Sequence, residues 1–147
     1  MSERGSFRSI AYFGRCHLHA GVLVPMWAVS ALLIAMAFKH YFADFVLQTN
    51  WIACGKQRRR GWFAPLAVHV LGHGAITLAI ALVVAPRLWW LALVDVVVHA
   101  SIDRAKSAMA NWGGWTLQDF QSWWLLGLDQ FLHQATNIAL VAALFAL

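Results

Sequence analysis

Acidic side chains are scarce in this 147-residue chain, which holds only six Asp and Glu. Charged residues make up 12% of it, about half the share of an average soluble domain. That share excludes a disordered segment, a coiled coil and an ordinary cytosolic enzyme. Cysteine is limited to Cys16 and Cys54, far apart and in no CxxC or metal-ligand spacing, so the thiols define neither a zinc site nor a redox compartment. There is no glycine-rich phosphate loop, no serine–histidine–aspartate nucleophile that spacing can pick out, no internal repeat and no low-complexity segment. Tyrosine occurs twice, against nine Trp and nine Phe.

What the chain does have is apolar bulk. It is 61% hydrophobic, with a mean hydropathy of +0.63. A helix needs about 20 apolar residues to cross a bilayer core. Four runs approach that length: 21–38, continuing as helix through Thr49, then 63–84, 88–108 and 123–147. Open sheets cannot sit in lipid and barrel alternation is missing, so the expected fold is all-α. It is an integral membrane bundle of four transmembrane helices over 21–147, with a basic N-terminal extension over 1–20. Pro65 near the start of the second run, Pro86 between the second and third, and Gly113-Gly114 before the fourth punctuate the pattern. Trp residues fall at the expected boundaries: Trp51, Trp62, Trp112, Trp115, Trp123 and Trp124 on one side, Trp27, Trp89 and Trp90 on the other. Arg residues followed by an apolar run and Ala35-Met36-Ala37 imitate a cleavable signal peptide, but cleavage there would separate a polar stripe from its own helix.

The net charge of +5 fits topology and anionic headgroups better than nucleic acid. Lys56, Arg58, Arg59, Arg60, Arg104 and Lys106 lie on the side of loops one and three; Arg4, Arg8, Arg15 and Arg87 lie on the other. Six against four places loops one and three in the cytoplasm of a multi-pass inner-membrane protein.

The informative feature is polar. Each run carries a His/Asp pair four residues apart: His40 and Asp44, His69 and His73, His99 and Asp103, Asp129 and His133. Asp95 extends the third pair by one more turn. Residues four apart share a helix face. The pairs lie at the ends of their runs nearest loops one and three, so an up-down bundle brings all four to one level. An Asp at the centre of a membrane helix costs about 2.5–3.5 kcal/mol, so a set this large needs a compensating partner. Divalent cations supply one: imidazole and carboxylate suit zinc, manganese or iron, and soluble bundles build two-metal sites from inward-facing carboxylates and histidines. The eight paired residues are the expected ligands of two metal ions. Gln48, Thr77 and Asn137 continue the stripes as expected orienting groups. A single intramembrane His is more often a helix–helix hydrogen bond, and a metal-free polar network or a packing device is the plain alternative.

These residues resemble a family of small bacterial and phage integral membrane proteins of unknown function. The resemblance rests on His40-Tyr41-Phe42-Ala43-Asp44-Phe45-Val46-Leu47-Gln48 with Trp51 and Lys56, on His69 and His73, on His99-Ala100-Ser101-Ile102-Asp103 with Lys106, and on Asp129-Gln130-Phe131-Leu132-His133. It covers about residues 30 to 145. More remotely the chain is similar to inner-membrane metal-dependent hydrolases with intramembrane His and Asp motifs.

The expected function is a membrane-embedded metal-dependent hydrolase acting on a lipid or a lipid-linked, phosphorylated substrate. Asp95 is the expected base or deeper ligand. Lys106 is expected to contact an anionic substrate group that Lys56, Arg58, Arg59, Arg60 and Arg104 gather. Membrane lipids and a second copy of the chain are the expected partners. The alternatives are a metal or proton transporter or channel subunit, a haem-binding electron carrier and a non-catalytic accessory subunit.

Overall fold

A computed structural model describes residues 15–18 and 22–146. Arg4 and Arg8 of the basic extension lie outside the described residues, as does Leu147. The first described element is a short antiparallel strand pair, β1 (Arg15–Leu18) and β2 (Val22–Pro25), with Arg15 opposite Pro25 and Leu18 opposite Val22. Every regular element after it is a helix. The first helix, α1 (Met26–Tyr41), begins five residues later than the apolar run suggests. Pro25 explains the offset: it has no N–H, and its extended backbone (φ −67°, ψ 132°) caps the helix from outside. β-Branched Val22 and Val24 before it suit a strand.

α1 runs on through a π-helical turn over Phe42–Val46. A short helix, α2 (Asn50–Gly55), follows, opened by the Thr49 hydroxyl accepting from the Ile52 N–H at 3.4 Å. Then come α3 (Phe63–Val84), α4 (Leu91–Gly113) and α5 (Phe120–Ala146). A single 3-10 turn, Pro86–Leu88, joins α3 to α4. Gly114, in the left-handed region at φ 66°, ends α4. Both the N–H and the hydroxyl of Thr116 donate to Asp119 Oδ2, at 2.6 and 2.8 Å, and this holds the exposed Asp119 carboxyl below the usual carboxylate range. The turn thereby delivers the chain into α5.

α1, α3, α4 and α5 close a ring, each packing against two others: α1 on α3 and α5, α4 on α3 and α5. Two of the helical segments, Met26–Val46 and Phe63–Val84, are long and apolar enough to cross a membrane. α4 carries Asp95, Asp103, Arg104 and Lys106, and α5 carries Asp129 with several amides, so their average is less apolar.

The interior is layered. At the Pro86 end, Leu32, Met36, Ala81, Leu88, Leu91, Leu140, Val141 and Leu144 form the apolar core. At the other end the five buried histidines gather with Asp103, Asp129 and Lys56, flanked by buried Ala43, Ile52, Leu66, Val70 and Leu125. α3 and α4 approach closely between these layers: a methyl group at Gly74 would run into Val96 and lie 3.6 Å from the Ala92 carbonyl oxygen. Small residues let two helix backbones approach this closely. Gly74→Leu is therefore expected to lose about 1–3 kcal/mol through overpacking, read as a lower thermal midpoint in detergent, while Gly72→Ala, which meets open space inside the same helix, does not lower it.

Candidate metal centre

Four helices each contribute two side chains to the polar layer. His40 lies in the last turn of α1, and Asp44 follows in the π turn. The wider π turn carries the Asp44 carboxylate across the bundle as well as back along its own helix. Its Oδ2 is 3.3 Å from His40 Nε2, and its Oδ1 is 3.2 Å from His69 Nε2 and 3.0 Å from His73 Nε2. Single π turns recur at functional sites for this reason: they re-aim one side chain. On α4, Asp103 reaches three ways. Its Oδ2 is 3.4 Å from His69 Nε2 and its Oδ1 3.5 Å from His133 Nε2, while His99 stands a turn away. On α5, Asp129 Oδ1 is 3.5 Å from His133 Nε2.

The five imidazoles pack together. Ring centres are 3.8 Å apart for His73 and His99, 4.0 Å for His99 and His133, 4.8 Å for His69 and His73, and 4.9 Å for His40 and His133. All five are buried. Their ligand atoms sort into three groups, each within 4.8 Å: Asp44, His69, His73 and His99; His40, His99 and His133; Asp103, Asp129 and His133. His99 is common to the first two and His133 to the last two, so the groups form one continuous donor set.

The donor chemistry fits a cation. Buried polar atoms are normally paired, yet His40 Nε2, His73 Nδ1, His99 Nε2, His133 Nε2 and Asp129 Oδ1 have no hydrogen-bond partner. His40 Nε2 is 3.3 Å from Asp44 Oδ2, His99 Nε2 4.0 Å from Asp103 Oδ2, and His133 Nε2 3.5 Å from both Asp103 Oδ1 and Asp129 Oδ1. Imidazole nitrogens beside carboxylates are the donor set that a divalent metal binds, the rings serving as ligands in their neutral form. These buried groups could hold a metal ion.

Two lysines also enter this layer. Lys56 Nζ donates to Asp103 Oδ2 at 2.8 Å and lies 2.9 Å from His69 Nε2. Lys106 Nζ donates to Asp129 Oδ2 at 2.9 Å, and the Gln130 amide donates to the same oxygen at 3.2 Å. Lys56 is expected from the sequence in a surface loop with the arginines; instead it is buried. Short α2 folds it inward, and Gly55 lets that helix sit directly on the Pro65 ring. The arginines do stay outside. Arg59 donates to the Asn111 carbonyl, and Arg104 donates to the Arg58 carbonyl at 3.3 Å while stacking 4.4 Å above the Trp62 ring. Arg60 is exposed.

The remaining expected site residues are placed elsewhere. Asp95 joins none of the three donor groups. It accepts from Lys39 Nζ at 2.8 Å and from the Thr77 hydroxyl at 2.5 Å, with Lys39 also 3.1 Å from Thr77. All three are buried one layer toward the apolar core. Thr77 thus serves Asp95 rather than a histidine. Asn137 donates to the Met36 carbonyl and to Gln134, both at 3.4 Å, tying α5 to α1. Gln48 leaves its Oε1 buried without a partner. Lys39 is the residue that the His/Asp spacing misses. Its signal was present: it is the one lysine inside an otherwise apolar run, beside His40.

A pocket of about 420 Å³ with mixed polar and apolar walls opens beside this layer, between α4, α5 and the two loops, with Lys106 on its wall. Lys106 and Arg59 both line it.

No curated protein and no solved structure matches the chain. A family described as a protein of unknown function, DUF3307, matches residues 30–147. That stretch starts inside α1 and takes in every helix that contributes a His or Asp to the donor set, and the chain belongs to this family.

Proposed function

We propose that this protein is a membrane-embedded metallohydrolase whose four long helices span the bilayer and hold two divalent ions in the polar layer. The observation that carries the reading is the continuous donor set with its five unpartnered buried atoms. Three carboxylates, Asp44, Asp103 and Asp129, face two ammonium groups, Lys56 and Lys106. Those five side chains sum to −1 with the histidines neutral, which divalent cations reverse. Zinc, manganese or iron suits the ligands.

Asp44, His69, His73 and His99 would hold one ion, and Asp103, Asp129 and His133 the other, with His40 beside the shared histidines. A bound metal of this kind lowers the pKa of its water to about 7 and polarises a phosphoryl or carbonyl oxygen. The protein's own part is positioning. Lys56 fixes the Asp103 carboxylate, and Lys106 with Gln130 fixes Asp129, so each acid presents its other oxygen to the layer. Lys106, on the pocket wall, also offers a cation to an anionic substrate group. The apolar core seals the bundle at the Pro86 end, which favours chemistry at one membrane face over a conducting path. The basic loops around Arg58–Arg60 and Arg104 then face the cytoplasm, where they gather anionic lipid headgroups.

The test is elemental analysis of the detergent-purified protein, with lipid-phosphate hydrolysis assayed in liposomes before and after chelation. The expected result is two divalent ions per chain and turnover that chelation abolishes and added metal restores. Protein purified without divalent metal, and unaltered by chelator in folding and turnover, would overturn the reading.

A further inference from the structure

Metal-site geometry says nothing of what is hydrolysed, but the pocket beside it does. It is bounded by α4 from Lys106 to Asn111, by the turn from Gly114 to Leu117, by the start of α5 and by Gln57 and Arg59 of the first loop. Its chemistry is divided. Two cations, Arg59 and Lys106, stand on its wall and no acid does. Neutral hydrogen-bonding side chains, among them Gln57, Asn111, Thr116 and Ser122, line the rest of the polar side. On the rim, Leu117 and Leu126 are exposed.

Several of these polar groups are held in fixed orientation. Asn111 donates its amide hydrogens to the Gln57 and Ser107 carbonyls, at 2.7 and 2.8 Å, which leaves its side-chain oxygen as an acceptor. Arg59 is anchored on the Asn111 carbonyl, and a guanidinium has five N–H donors, so one bond leaves others for an anion. Lys106 is anchored on Asp129. The two cations are thus set by the protein fold, one at the metal layer and one at the loop surface.

We infer that this pocket takes a phosphorylated, hydroxyl-bearing headgroup, a phosphopolyol or sugar phosphate, carried on a membrane amphiphile. The cations meet the phosphate. The neutral amides and hydroxyls, with the Asn111 oxygen accepting, meet hydroxyl groups. The leucine rim meets the start of the apolar chain. A headgroup without hydroxyls, such as phosphocholine, leaves the neutral side unpaired and adds a positive charge beside two others. This inference rests on the proposed hydrolase reading only for its biological purpose; the binding itself does not require metal.

The experiment measures binding to the full-length protein in detergent, by calorimetry and by native mass spectrometry, for three probes: short-chain phosphatidylglycerol, short-chain phosphatidylcholine and free glycerol 3-phosphate. Phosphatidylglycerol is expected to bind at least tenfold more tightly than phosphatidylcholine. Ser122→Trp, which fills the pocket, and Arg59→Gln, which removes one cation, should each weaken it about tenfold. Neither residue belongs to the donor set, so metal content measured on the same samples should not change. Glycerol 3-phosphate binding as tightly as the lipid would assign the shared chemistry to a free phosphopolyol. Equal binding of both lipids, or binding indifferent to Ser122→Trp in a protein of unchanged thermal midpoint, overturns the inference. Metal without headgroup selectivity defeats this inference alone; selectivity in protein that never takes up metal defeats the metallohydrolase reading alone.

Discussion

Replacing His99 with alanine is expected to strip most of the metal that the proposed centre holds from the purified protein. His99 belongs to two of the three donor groups, and its ring centre lies 3.8 Å from that of His73 and 4.0 Å from that of His133. Losing it leaves the first group with Asp44, His69 and His73 and the second with two histidines, each short of a full shell. Altering groups that merely orient ligands costs about 10–100-fold in metal affinity, so loss of a shared ligand should reach the upper end of that range or beyond. Elemental analysis and competition with a metal indicator provide the measurement. Thr136→Val, on the exposed side of α5 where the hydroxyl bonds only the Leu132 carbonyl, is the matched control and should retain full metal. Equal metal in the His99→Ala protein and the wild type would show that the imidazole cluster is a hydrogen-bonded core instead.

Lys39→Met should be among the most destabilising single changes in the chain. Lys39 and Asp95 are both almost completely buried, joined at 2.8 Å and braced by Thr77. Removing one member of a buried pair costs about 3–5 kcal/mol, because the other charge is left without compensation. The double variant Lys39→Met/Asp95→Leu removes both charges and should recover most of the loss. Thermal unfolding in detergent would show the single variant falling sharply and the double returning toward wild type. Metal content of the double variant should match wild type, since Asp95 lies outside the three donor groups. A double variant that loses metal as well would return Asp95 to the role of a deeper ligand, which its spacing from His99 alone suggests.

The contrast between Asp95 and Asp103 shows how far spacing reaches. Both stand four residues from His99, on one face of α4, and periodicity treats them alike. Their fates differ because of what the neighbouring helices present at each height. Opposite Asp95 are Lys39 and Thr77; opposite Asp103 are His69, His133 and Lys56. The sequence contains both surroundings, but their pairing depends on how the helices sit against each other. Lys56 shows the same limit from the other direction. A lysine beside three arginines reads as part of a basic surface loop, and only the close seating of α2 on Pro65 turns it inward.

Composition and period alone established the helical character, the four long segments, the turns at Pro86 and Gly114, and a His/Asp pair on each segment at the end nearest the first and third loops. They could do so because helix period and chain length are local properties that act before any packing. Tertiary structure decided the rest: the later start of α1 behind Pro25, the π turn that swings Asp44 across to α3, the sharing of His99 and His133 among donor groups, and the division of the acids between lysine partners and histidines. Those are contacts between segments far apart in the chain, fixed by helix rotation and height, which no single segment encodes.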